Sequence, residues 1–163
     1  MPIYKIEIGF SNAYLEMPPR PWIRTPDMRL TLFTDYGLRA LMRLAGEPDQ
    51  LFTAEGLARE LGISRNHLTK VVRELAVLGF VTTRRGSGGG FQLGRPATDI
   101  TLGDIARALE PRQALVECFQ ADGGTCTLTA RCRLKRPLAL AQEAFFQALD
   151  AVSLADCALG PPE

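Results

Sequence analysis

The sequence predicts a mainly α fold with one small β-hairpin, arranged as a winged helix-turn-helix followed by a long helix. Three observations carry that expectation. Two short helical patterns are separated by a glycine-bearing turn, as in a helix-turn-helix. Two β-prone runs follow at once around the glycine-rich stretch 85–90, as in a hairpin. An apolar seam in the second half of the chain recurs at alternating spacings of three and four residues.

Each element has its own start and stop signals. Thr34 is placed to cap a first helix reaching Ala45, with Asp35 in its first turn against the positive end of the dipole. Leu38, Leu41, Met42 and Ala45 form its apolar stripe, and Gly46, Pro48 and Asp49 end it. Thr53 caps a second helix over 54–61, and Gly62 makes the turn. Ser64 caps a third over 65–78, closed by Gly79, with Leu68, Val71, Val72, Leu75 and Leu78 on its inner face. The runs 80–84 and 91–93 read as the strands of the wing. Thr101 and Asp104 form a capping-box pattern for a helix to Leu109, stopped by Pro111.

Residues 111–133 read as a loop holding Cys118, Gly123, Gly124, Cys126 and Cys132, and a loop of that length without periodicity is usually functional or disordered. A long helix is expected over 134–152, where Pro137 is tolerable near the start. Its seam of Leu138, Ala141, Phe145, Ala148 and Val152 suits a partner helix or an intrachain core. The first alternative is favoured because a winged helix needs a partner to read a palindrome. Ser153 caps a last turn containing Cys157. The expected organisation is a leader at 1–27, a winged helix-turn-helix domain at 28–98, a helix and cysteine loop at 99–133, and a dimerisation helix with C-terminal turn at 134–159. The leader carries Pro2, Pro18, Pro19, Pro21 and Pro26 and no sustained periodicity. It reads as a flexible segment or as the product of an upstream start, with Met28 the natural beginning.

Bulk properties narrow the function. The chain has 163 residues, 46% hydrophobic and 23% charged, which is ordinary for a globular protein. No apolar run is long enough to span a bilayer and no secretory signal opens the chain, so the cytoplasm is the expected location. Net charge is only +1, but it is unevenly distributed. Residues 28–98 hold 10 Lys/Arg against 6 Asp/Glu, and residues 99–163 hold 6 against 9. A basic first half fits a polyanion-binding module. There is no Walker loop, no Ser/His/Asp set and no cofactor fingerprint, so an enzyme is not expected.

The third helix opens with Ser64, Arg65, Asn66 and His67, followed by Lys70 and Arg73. A recognition helix sets its N-terminal side chains against base edges, where Arg pairs with guanine and Asn with adenine. Lys70 and Arg73 suit phosphate. Arg84 and Arg85 flank the wing turn, whose glycines let the backbone approach sugar and phosphate. Any one of these residues alone reads as a solvated face; the ordered set reads as double-stranded DNA binding. His67 is the single histidine, which excludes multi-histidine metal sites within one chain.

Seven residues separate Cys118 from Cys126, and five separate Cys126 from Cys132. Zinc ribbons and catalytic disulfides want Cys-x-x-Cys, which is absent. Three thiols in one glycine-bearing loop could wrap an iron–sulfur cluster, or could be unligated. A fourth ligand would come from Cys157 or from a carboxylate elsewhere.

Five motifs together carry a resemblance. They are Met28-Arg-Leu-Thr-Leu-Phe-Thr-Asp-Tyr-Gly-Leu-Arg-Ala40, Ser64-Arg-Asn-His-Leu-Thr-Lys70, Arg85-Gly with Gly89-Gly90, Leu93-Gly-Arg-Pro-Ala97 and Cys132-Arg-Leu-Lys135. Over about 28–159 the chain resembles the winged-helix iron–sulfur regulators, and within them the NsrR-type repressors that sense nitric oxide. The resemblance implies a homodimer, a palindromic operator and a cluster on Cys118, Cys126 and Cys132, either 4Fe–4S, which is favoured, or 2Fe–2S. It also implies Asp35 of the opposite subunit as the fourth ligand. IscR-like members place a histidine three residues after the last cysteine; here Lys135 stands there, which argues against that branch. The longer first gap, with Gly123-Gly124, departs from the pattern. A metal-free repressor switched by a Cys118–Cys126 disulfide is the alternative expectation.

Overall fold

The computed structural model describes residues 30–86, 88–110 and 114–161; the expected leader at 1–27 lies outside them. Five α-helices and one hairpin follow in the order α1 (Leu32–Gly46), α2 (Ala54–Leu61), α3 (Arg65–Val77), β1 (Val81–Arg84), β2 (Gly90–Leu93), α4 (Leu102–Leu109) and α5 (Lys135–Asp150). The chain is mainly helical with an antiparallel two-stranded wing, as expected.

The caps explain most boundaries. Thr53, Ser64 and Thr101 accept hydrogen bonds from the backbones of Gly56, His67 and Asp104, and the Thr101–Asp104 capping box is complete. The first helix corrects the sequence expectation. Its cap is Thr31, not Thr34, and the Thr31 side chain accepts from the Thr34 backbone. Thr31 is held there because its own N–H donates to Glu110 Oε1 at 2.8 Å, a partner 79 residues away. Thr34 is consequently drawn into the first turn and fully buried.

The core joins α1, α2, α3, the wing and α4. Leu41, Leu44, Leu57, Leu68, Leu75, Ile100 and Ile105 are shut off from solvent, and burial of each is worth roughly 1.5–3 kcal/mol. In the wing, Val81 pairs with Leu93 and Arg84 with Gly90. Phe52 and Phe91 exchange backbone hydrogen bonds of 2.8 and 2.9 Å, which fastens the wing to the segment before α2. The buried Arg43 binds Glu47 and Glu60 and lies 4.8 Å from the Phe52 ring centroid. Burial pulls its pKa down, but these carboxylates outweigh that and hold it above the ordinary value.

The end of the chain returns to the head. Leu154 is fully buried and its N–H donates to Ile100 O at 2.8 Å. Leu159 N–H donates to Met42 O at 2.9 Å. Arg107 on α4 grips Asp150 at the end of α5 through two hydrogen bonds, one of 2.7 Å, and lies 4.8 Å from the Phe146 ring centroid. Thus α5 is attached along α4 and at its C-terminal end, yet it has no buried residue. Among the described residues no helix is long and apolar enough to cross a membrane.

Candidate nucleic-acid interface and cysteine loop

The third helix is amphipathic at its own period. Leu68, Val71, Val72 and Leu75 face the core, which leaves Arg65, Asn66, His67, Lys70 and Arg73 exposed. Ser64 is exposed too, with its hydroxyl committed to the cap. Polar groups at the first turn thus stand clear of the protein on a helix held from behind by four buried side chains. The imidazole of His67 stacks on Tyr36 of α1, with ring centroids 6.4 Å apart. A shallow apolar cleft there is lined by Leu32, Phe33, Tyr36, His67, Lys70 and Val71.

Arg84 ends β1 and Arg85 begins the wing turn, both exposed. The turn reverses through Gly86 and Gly88, whose φ values of 104° and 78° are strained for any residue with a Cβ. The third helix and the wing therefore each present two or more exposed guanidinium or ammonium groups, as a phosphate-binding surface requires.

The cysteine loop is built differently. Cys118 sits in a short 3-10 turn, Glu117–Phe119, and Cys132 directly follows another, Thr129–Arg131. All four cysteines are free thiols, each half-buried. The Glu117 carboxylate accepts from the Thr125 hydroxyl and from the Thr125 N–H at 2.9 Å. Those bonds hold its pKa below the usual carboxylate range. Asp35, in the first turn of α1, pairs with Arg39 at 2.7 Å.

Sequence reasoning located these groups but not their partners. The Tyr36–His67 stack, the Glu117–Thr125 bonds and the Arg107–Asp150 pair leave no periodic signal, although Gly123-Gly124 did mark the loop. Three free thiols on one loop are a donor set whose chemistry fits an iron–sulfur cluster. Among the described residues of one chain, however, no three His, Cys, Asp or Glu side chains gather as ligands for a metal ion. Asp35 and the three cysteines are not brought together within one chain.

Solved structures of known proteins resemble this fold. The solved structure of T. potens IscR matches with a TM-score of 0.62 and 25% identity, covering 80% of this chain and 85% of that one. The global cysteine regulator CymR of B. subtilis matches with a TM-score of 0.64 and 28% identity, over 80% of this chain and 96% of that one. The oxidised form of Staphylococcus aureus CymR matches at 0.63 and 26%, over 83% and 100%. The family model described as Rrf2, iron-dependent transcriptional regulator, matches residues 30–159. The chain therefore belongs to the Rrf2 family, whose members are DNA-binding transcriptional regulators and not enzymes.

Proposed function

We propose that this chain is a cytoplasmic, nitric-oxide-responsive repressor that binds palindromic operator DNA as a homodimer under the control of an iron–sulfur cluster. The observation that carries the reading is the pairing, in one chain, of an exposed recognition helix with three free thiols on a single loop.

On the DNA side, Arg65 would bind guanine and Asn66 adenine in the major groove, with Ser64 and His67 beside them. Lys70, Arg73, Arg84 and Arg85 would bind phosphates, in the helix and the wing of the domain at 28–98. The dimer reading is supported by α5, which bears Leu138, Ala141, Phe145 and Ala148, with Val152 of the expected seam just beyond its end, and which buries no residue in one chain. Two recognition helices one helical turn apart would then meet the half-sites of a palindrome.

On the sensing side, Cys118, Cys126 and Cys132 would hold the cluster, with Asp35 of the opposite subunit as fourth ligand. Four ligands favour 4Fe–4S over 2Fe–2S. A bound cluster supplies iron that reacts with nitric oxide. The chain's part is to join the cysteine loop of one subunit to α1 of the other, and so to set the separation of the recognition helices. Asp35 has Arg39 as an alternative partner, which favours two states. A coupling of about 3 kcal/mol would change DNA affinity roughly 10²-fold. The nitric-oxide specificity rests on the NsrR-type motifs and on Lys135 standing where IscR-like members have histidine.

The test is anaerobic purification, iron and sulfide analysis and operator binding before and after nitric oxide. A brown protein with about four irons per chain, releasing its operator on nitric oxide, is the expected result. Equal operator affinity of apo and loaded protein would sink the switch.

A second reading, a metal-free repressor switched by a Cys118–Cys126 disulfide, is favoured by one observation. Ligands for a metal ion do not gather among the described residues of one chain. The likeness to an oxidised form of CymR is in keeping with it. It predicts a colourless protein that takes up no iron and responds to thiol oxidants.

A further inference from the structure

Cys118 and Cys126 are separated by seven residues and Cys126 and Cys132 by five, so the longer gap needs something to draw its ends together. The structure has such a device. The residue before Cys118 is Glu117, and the residue before Cys126 is Thr125. One carboxylate oxygen, Glu117 Oε1, accepts from both the Thr125 N–H and the Thr125 hydroxyl. The chain between them turns back through Gly123 and Gly124, at φ 80° and 60°. Gly123 N–H donates to Gln120 O at 2.9 Å, and Gly124 N–H to Asp122 Oδ1 at 3.0 Å. A Cβ on Gly124 would press on the carbonyl and side chain of Glu117, so that glycine is what permits the close approach. The second gap is drawn in by simpler means: Thr129 N–H and hydroxyl both donate to Cys126 O, at 3.3 and 2.9 Å.

We propose that Glu117 and Thr125 are positioning residues for Cys118 and Cys126. Their hydrogen bonds close the first gap into a small extruded loop, so that both cysteines leave from its base. The extra residues then add length without separating the thiols. Closing a loop in advance removes the entropy cost of bringing its ends together, and hydrogen bonds to a carboxylate are the stronger kind. The inference rests on the reading that these cysteines act as a set, but it is shared by the cluster form and the disulfide form of that reading.

The test uses the full-length, reduced, metal-free chain. Diamide oxidises the two thiols to a disulfide: they lose two electrons and two protons, and the azo group takes both up to become a hydrazine. Peptide mapping by mass spectrometry follows the Cys118–Cys126 disulfide with time. Glu117→Ala and Gly124→Ala are expected to slow its formation roughly fivefold. Glu117→Gln, which keeps an oxygen acceptor, should stay within about twofold of the unaltered chain. Glu117 is exposed, so circular dichroism melting should show the Ala variant folded. A wild-type rate for Glu117→Ala, or an unaltered chain that never forms this disulfide, would overturn the proposal.

A second readout is the half-time of iron loss to a chelator after reconstitution, expected to shorten several-fold in Glu117→Ala. An unaltered chain that takes up no iron, while Glu117→Ala still slows the disulfide, removes the cluster and keeps the positioning role. A chain that holds its cluster equally well, and oxidises equally fast, with and without Glu117 removes the positioning role and keeps the cluster.

Discussion

In the winged-helix head, Leu41, Leu44, Leu57, Leu68 and Leu75 are closed off from solvent, while along the whole of α5 no residue is buried. The contrast is not one of composition, because α5 carries Leu138, Leu140, Phe145, Phe146 and Leu149. In the head, three helices and a hairpin surround one another, so each apolar stripe meets another. In the second half, α5 packs chiefly on α4 among the described residues, and the cysteine loop is tied by local hydrogen bonds. The head draws its stability from its own packing, completed by Leu154 of the returning chain end. The loop and α5 retain apolar and thiol groups that a single chain leaves accessible, which is the property the proposed dimer and cluster would use.

The largest expected effect sets the two regions against each other. Leu75→Ala should cost roughly 2–5 kcal/mol of unfolding free energy, read from urea denaturation. Phe145→Ala should leave the head folded and instead weaken self-association about tenfold, read by sedimentation at several concentrations. Equal destabilisation by both would break the comparison.

The next effect sharpens it on the DNA side. Arg65→Ala should cost about 1–3 kcal/mol and relax specificity at one base position. Arg73→Ala should weaken binding across all sequences and reduce the slope of log affinity against log salt by about one. Fluorescence anisotropy over a salt series distinguishes the two. A uniform effect of Arg65→Ala would move that residue to the phosphate group of contacts.

The smallest effect probes the junction between the regions. The hydrogen bond from Arg107, aided by its charge, holds the Asp150 carboxyl below the ordinary range, against a burial contribution that raises it. A carboxyl whose folded pKa is depressed adds stability above its unfolded value, about 3.9, and loses it as pH falls through the lower folded value. Asp150→Asn should therefore be slightly less stable than the unaltered chain at neutral pH, with the gap closing below about pH 4. Both side chains are more than a third exposed, so the gap should be under about 1 kcal/mol. Thermal melts from neutral to acid pH measure it; a gap that persists in acid would mean the pair acts through packing on Phe146 instead.

The head was largely legible in the sequence because its signals are local. Thr53, Ser64 and Thr101 cap where they were expected, since a cap needs only a side chain and a backbone three residues on. The one misplaced start shows the limit. Thr31 and Thr34 are equally good caps by local chemistry, and Glu110 chose between them from 79 residues away. Residue type and order marked Arg65, Asn66, Lys70 and the three cysteines, but partners distant along the chain were not legible. Nothing in the sequence near His67 announces Tyr36, and nothing near Asp150 announces Arg107.

By itself, then, the sequence determined the helices, the hairpin, the exposed basic face of α3 and the identity of the thiol loop. Those follow from periodicity, capping and glycine tolerance, which act over a few residues. Only the tertiary structure decided the true start of α1, the burial of Arg43 between Glu47 and Glu60, the clamp of Glu117 on Thr125 and the attachment of α5 through Arg107. Apart from the Arg43–Glu47 pair, these partners lie from eight to 79 residues apart, and such groups meet only where the packed core brings their elements together or a turn brings the chain back on itself.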